Sequence, residues 1–295
     1  MQDKTRRNLL KGMAVAGAGA LSWKSSAGAN MTVESGHTLK GNVHHSVSRW
    51  TYGHLSIEQL CQLVKALGFG AIDLVGPEDW PVLKKYGIDS SMCNGAEISL
   101  EDGFIHRELH DELEARYLKH IELVAQAGYT NLICFSGNAR GMDRETGLKN
   151  AVDGLSRILP HAEKHNVTIQ MELFNSKVDH PDYMADNSAW GVALCQALGS
   201  DNFKLLYDIY HMQINEGDVI RTIRDYHQYF GHYHTAGVPG RNEIDHTQEL
   251  YYPAIAQAIV DTGFKGYLAQ EFIPTPETNA GKNESLRQAI QICDV

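Results

Sequence analysis

The chain has 295 residues, 43% of them hydrophobic and 21% charged, a globular composition with room for one large domain or two small ones. Its 36 acidic residues outnumber 26 basic ones, for a net charge of -10. A long phosphate backbone would meet net repulsion, so nucleic acid is not an expected partner and a DNA-processing role is disfavoured.

In chain order, the first 29 residues read as a targeting segment. Thr5-Arg6-Arg7-Asn8-Leu9-Leu10-Lys11 places paired arginines ahead of the apolar run GMAVAGAGAL, and Ala27-Gly28-Ala29 offers a small-x-small cleavage point. The pattern resembles a twin-arginine export signal, which implies the twin-arginine export machinery as a partner and a periplasmic or otherwise exported mature protein. The run is too short to span a bilayer and no later segment is apolar enough, so no stable membrane insertion is expected.

Residues 30–295 then read as a single domain. Strand candidates are GNVHHSV, AIDLV, IDSSMC, NLICFSG, VTIQMELF, FKLLYDI, FGHYHTAG and GYLAQEF. Helical patterns lie between them, near residues 56–67, 78–86, 106–126, 143–164, 186–198, 215–229, 251–261 and 284–293. Ser56 and Gln59 make a capping-box pattern at the first, and Pro160 should kink or shorten the fourth. Leu67-Gly68-Phe69, Ala127-Gly128-Tyr129 and Thr262-Gly263-Phe264 repeat one device, a glycine that stops a helix and an aromatic before the next strand. Eight strand–helix alternations predict a parallel sheet with helices outside it. About 250 residues suit a closed (β/α)8 TIM barrel, and no G-x-G-x-x-G follows the first strand as an open dinucleotide-binding sheet would require. The five cysteines, Cys61, Cys93, Cys134, Cys195 and Cys293, are scattered without a C-x-x-C pair and read as small core residues.

Glu172, Asp208, His234 and Glu271 fall at or near the ends of the fifth to eighth strand candidates, at separations of 36, 26 and 37 residues. These bracket the roughly 31 residues per strand–helix unit of such a barrel, whose catalytic groups sit at the carboxyl ends of the strands. Three carboxylates cannot share a small dry space as bare anions; a divalent cation removes the conflict. Carboxylates with one imidazole suit Mn2+, Mg2+ or Co2+, and Zn2+ as well.

The stretches MELFNSKVDHP (Met171 to Pro181), YDIYHMQ (Tyr207 to Gln213) and AGVPGRNE (Ala236 to Glu243) resemble the hydroxypyruvate isomerase family, within the xylose-isomerase-like barrels that also include ketose 3-epimerases. The resemblance covers the chain after the export-like segment and is sharpest from residue 167 to 272. It implies one divalent metal held by Glu172, Asp208, His234 and Glu271, with Glu172 and Glu271 also acting as the acid/base pair. It further implies substrate contacts from His211 and Arg241. At the place of His234 isomerase members often carry Gln, whereas sugar epimerases carry His.

The implied reaction moves a carbonyl to the neighbouring carbon through an enediolate, as from hydroxypyruvate to tartronate semialdehyde; one glutamate removes a proton from carbon and the other supplies one. Arg241 suits a substrate carboxylate, with Gly237 and Gly240 allowing close backbone approach in its loop. His45 on the first strand and Asn94 after the third are further substrate-binding candidates, and His44, Trp50 and Ser136 could complete the pocket. The alternatives are an exported ketose 3-epimerase or sugar isomerase, and a non-catalytic carbohydrate- or metal-binding barrel. A homo-oligomer is compatible with the sequence.

Overall fold

The computed structural model describes residues 38–295; the export-like segment and its cleavage point lie outside the described residues. The elements run β1 (His44–Ser48), α1 (Ile57–Ala66), β2 (Ala71–Asp73), α2 (Trp80–Tyr86), β3 (Asp89–Ser90), α3 (His110–Ala127), β4 (Asn131–Cys134), α4 (Arg144–Leu155) and α5 (Leu159–His165). They continue with β5 (Thr168–Glu172), α6 (Ser188–Leu198), β6 (Phe203–Asp208), α7 (Ile209–Asn215), α8 (Val219–Tyr226), β7 (Phe230–Thr235), α9 (Tyr252–Asp261), β8 (Tyr267–Gln270) and α10 (Asn279–Cys293).

All paired strands are parallel, in the order β3-β2-β1-β8-β7-β6-β5-β4. The ring closes just past the end of β3, where Cys93 bridges in parallel to both Val75 and Leu132. Two backbone hydrogen bonds hold that seam, Cys93 N–H to Asn131 O at 2.9 Å and Ile133 N–H to Cys93 O at 3.0 Å. The expected (β/α)8 barrel is the observed fold.

Local chemistry accounts for the helix boundaries. Ser56 and Gln59 form the expected capping box at α1, whose Leu60, Leu63 and Val64 are fully buried against the sheet at roughly 1.5–3 kcal/mol each. Asp143, Asn187 and Thr278 cap α4, α6 and α10 through their side-chain oxygens. Gly128 stops α3 in the left-handed region at φ +81°, as the helix-glycine-aromatic repeat requires. The predicted 143–164 helix is two helices. The break falls between Leu155 and Leu159, and Pro160 sits in the first turn of α5, where its missing N–H costs nothing. All five cysteines are buried and free. No helix among the described residues is long and apolar enough to cross a membrane.

The barrel interior is polar along one column. Side chains alternate across each strand, so Ser46 and Ser48, Asp73, Glu172, Asp208, and His232 with His234 share the inner face. Near its middle, Ser91 Oγ hydrogen-bonds Asp73 Oδ1 at 2.7 Å and Ser46 Oγ at 2.9 Å. Above this layer, toward the carboxyl ends of the strands, lie the ionisable groups.

Candidate active site

Glu172 is the last residue of β5, Asp208 the last of β6, His234 the penultimate residue of β7, and Glu271 follows β8 directly. All four are buried, and each offers a ligand atom within 4.8 Å of the others. His234 is the centre of the group. Its Nδ1 lies 3.0 Å from Glu172 Oε1, 2.8 Å from Glu271 Oε2 and 3.9 Å from Asp208 Oδ2. Its Nε2 lies 2.8 Å from Asp73 Oδ2 on the opposite side.

Asp73 was not among the candidates read from the sequence. It is fully buried, and its other oxygen, Oδ1, accepts from Ser91 and sits 2.8 Å from His232 Nε2. An acceptor at Nε2 keeps the proton on that nitrogen and leaves Nδ1 to face the carboxylates, the orientation a metal-ligating histidine needs. Burial pushes the Asp73 carboxyl up, but His232 and His234 outweigh it and hold the group below the usual carboxylate range.

Asp208 divides its two oxygens. Oδ1 caps α7 by accepting the His211 backbone N–H at 3.1 Å. Oδ2 faces the cavity, 3.5 Å from Arg241 Nη2 and 3.6 Å from His211 Nε2. Helix α7 therefore begins on a site residue and presents His211 one turn later. The tautomer of His211 follows from its neighbour. Asn175 Oδ1 accepts the Val178 and Asp179 backbone N–H groups at 3.0 and 2.9 Å, so its Nδ2 is the atom 2.7 Å from His211 Nδ1. Nδ1 accepts, and Nε2 carries the hydrogen. Burial and the nearby Arg241 hold the ring well below its usual pKa, hence neutral. Its Nε2 is buried without a hydrogen-bond partner among the described residues.

Arg241 lies on the loop after β7. Its Nη2 is 2.6 Å from Glu271 Oε2, and its guanidinium carbon sits over the rings of Trp50 at 5.3 Å and Tyr210 at 5.5 Å. The loop is tight. A side chain at Gly237 would meet the backbone oxygen of Glu243, and the Gly237 carbonyl accepts the Arg241 N–H at 2.9 Å. Arg241 itself takes φ +58°, a left-handed conformation uncommon outside glycine. Trp50 donates from Nε1 to Glu271 Oε1 at 2.7 Å while the residue stays 47% exposed, so it lies at the mouth.

The other candidates make contacts of a different kind. His45 points to the outer face of β1, 3.9 Å from Asp294, where burial lowers it to about 4. Asn94 is half-buried, its backbone N–H reaching Val75 O at 3.4 Å. His44 packs its ring on Tyr267, and Ser136 holds the Ala185 backbone N–H at 3.0 Å.

The surroundings push the two glutamates in opposite directions. Burial raises Glu172 to about 8, against the pull of His234. Burial also acts on Glu271, but His234 and Arg241 overcome it and hold that carboxylate well below the ordinary range. Burial raises Asp208 to about 6 despite Arg241. His234 is raised well above its usual value because Glu271, Asp73 and Glu172 outweigh its burial.

The donor set fits a divalent cation: three buried carboxylates share one small space with an imidazole nitrogen whose far side is already fixed by Asp73. Such a cation would displace protons from Glu172 and from His234 Nδ1. Because a raised pKa means a bound proton at neutral pH, Mn2+ affinity is expected to climb steadily with pH between 6 and 8. Titration of free Mn2+ by electron paramagnetic resonance at several pH values checks this; a flat profile would contradict the protonated Glu172.

The family model described as xylose isomerase-like TIM barrel matches residues 61–293. A 2-oxo-tetronate isomerase of Cupriavidus necator is 36% identical over 120 residues, 41% of this chain and 45% of that protein. A hydroxypyruvate isomerase of Escherichia coli is 30% identical over 118 residues, 40% of this chain and 45% of that protein. The matched segments thus span less than half the length of these curated relatives. Among solved structures, an AP endonuclease, family 2, from Brucella melitensis superposes with a TM-score of 0.72 at 21% identity, over 81% of this chain and 96% of that one, a likeness of fold. A parallel barrel closed at Cys93, with its ionisable groups gathered at the carboxyl ends of the strands and the family model running through four-fifths of its length, makes this chain a member of the xylose isomerase-like TIM barrel family.

Proposed function

We propose that this chain is a divalent-metal-dependent isomerase that moves a carbonyl to the neighbouring carbon of a small hydroxycarbonyl acid, as in the conversion of hydroxypyruvate to tartronate semialdehyde. The observation that carries the reading is a pair of buried donors without partners among the described residues, His211 Nε2 and Arg241 Nε, beside two buried glutamates whose surroundings push them in opposite directions. Paired carboxyl groups pushed apart in this way are suited to divide acid and base roles. The names of the relatives, 2-oxo-tetronate isomerase and hydroxypyruvate isomerase, agree with it.

The reaction removes one proton from the hydroxyl-bearing carbon, returns one to the former carbonyl carbon and passes the hydroxyl proton from one substrate oxygen to the other, with no net change in atoms. Glu271 takes the first proton from carbon, and Glu172, across the site, serves the return of the second, the pair resetting by proton exchange before the next turnover. His211 offers its Nε2 hydrogen to a substrate oxygen, and Arg241, braced between Trp50 and Tyr210, offers its free N–H edge to the substrate carboxylate. A cation held by Glu172, Asp208, His234 and Glu271 would stabilise the negative charge that develops on the substrate oxygens. His234 favours a second reading, a ketose 3-epimerase, in which the two glutamates work on opposite faces of one carbon.

The test is a product assay on purified protein supplied in turn with Mn2+, Mg2+ and Co2+. Interconversion of hydroxypyruvate and tartronate semialdehyde, without action on a ketose panel, is the expected result. Inversion of ketoses at carbon 3 with no turnover of hydroxypyruvate would replace this reading by the second.

A further inference from the structure

A second cluster of metal-ligating side chains lies away from the barrel mouth, on the outer layer of helices. His161 and His165 are four residues apart on α5, so they share one face a turn apart, and their ring centroids are 4.5 Å from each other. Glu122 reaches them from the neighbouring helix α3, its Oε1 3.3 Å from His161 Nε2. One ligand atom from each of the three lies within 4.8 Å of the other two.

The contact between Glu122 and His161 is not a hydrogen bond. Nε2 is buried and has no partner in hydrogen-bond geometry among the described residues, although the carboxylate oxygen is only 3.3 Å away. That spacing has another meaning. In a tetrahedral site with metal–ligand bonds of about 2.0–2.1 Å, neighbouring donor atoms stand roughly 3.3 Å apart. The Glu122 side chain is 51% exposed and free to adjust, whereas α5 is fixed at both ends by Pro160 in its first turn and by Asn166 at φ +54° after its last. Two imidazoles on a held helix and one adjustable carboxylate would leave a fourth position to water.

We propose that Glu122, His161 and His165 form a peripheral site for a borderline-soft divalent cation of the Zn2+ class, which ties α3 to α5. Nitrogen donors with one carboxylate select Zn2+, Ni2+ or Cu2+ over Mg2+ and Ca2+, which prefer all-oxygen shells. The site differs from the mouth both in place and in donors, having two imidazoles where the mouth has one. Its cation would brace the helix that leads into β5, the strand that ends on Glu172.

The test is a Zn2+ titration of the untagged full chain, followed by calorimetry and by metal analysis after gel filtration. The expected result is two equivalents in the wild type, one in His165→Ala, and two in Glu122→Gln with the weaker at least tenfold weaker than before. One equivalent in the wild type and none in His165→Ala would sustain the peripheral site while removing the mouth. Equal stoichiometry in the wild type and His165→Ala overturns the proposal, as does unchanged affinity in Glu122→Gln.

Discussion

Glu271→Gln is expected to lower kcat by about a thousandfold and, because Arg241 loses its anchor, to raise KM as well. Both oxygens of Glu271 are committed: Oε1 accepts from Trp50 Nε1 at 2.7 Å and Ser48 Oγ at 3.4 Å, while Oε2 faces His234 Nδ1 at 2.8 Å and Arg241 Nη2 at 2.6 Å. A carboxamide fits the space but not the electrostatics. Whichever way it turns, its NH2 group opposes another donor, and the negative charge that holds Arg241 in place is gone. Loss of a positioned base alone costs about 10²–10⁴ in rate. Steady-state kinetics with thermal melting of the same variant separates this from misfolding. A folded variant that retains a tenth of wild-type kcat removes Glu271 from the proton-transfer step.

The second large effect is expected at a residue that would not touch substrate. Asp73→Asn should weaken Mn2+ binding by about 10–100-fold, the range for losing an outer hydrogen-bond partner of a ligating histidine. It should also lower unfolding free energy by about 3 kcal/mol, because breaking a buried ion pair strands its partner. The cause is an acceptor count. The carboxylate offers one oxygen to His234 Nε2 and the other to Ser91; an amide offers a single acceptor, so its NH2 must oppose either the His234 N–H or the Ser91 hydroxyl. Calorimetric Mn2+ titration and guanidinium unfolding measure the two parts. Wild-type Mn2+ affinity in the variant would mean that Asp73 holds the barrel together without orienting His234.

The barrel and its four central side chains are legible in the sequence for one reason. The fifth to eighth strands are short runs that carry an ionisable residue at or within one position of their ends, and successive strands are neighbours. Asp73 escaped because AID is a three-residue strand whose partner histidines lie more than 150 positions away, with no local spacing to betray them. Helix α7 was hidden because Ile209 and Tyr210 continue a strand-like pattern past Asp208; only the cap formed by that carboxylate turns the chain. His45 misled through period two. In HHSVS either set of alternate residues could face inward, and the pairing of β1 with β8 and β2 puts Ser46 and Ser48 inside. The third strand candidate, IDSSMC, shrinks to Asp89–Ser90 because the chain bends away before returning at Cys93 to close the ring.

The double duty of Asp208 fixes a division of labour. A short side chain with one oxygen clamped to the start of a helix cannot swing, so it is a stationary post. Glu172 has an extra methylene and no helix to hold up, so its carboxyl group is less tightly tied than that of Asp208. Lengthening the post to Glu would unseat the first turn of α7 and carry His211 with it, so anchor and substrate donor can be altered only together.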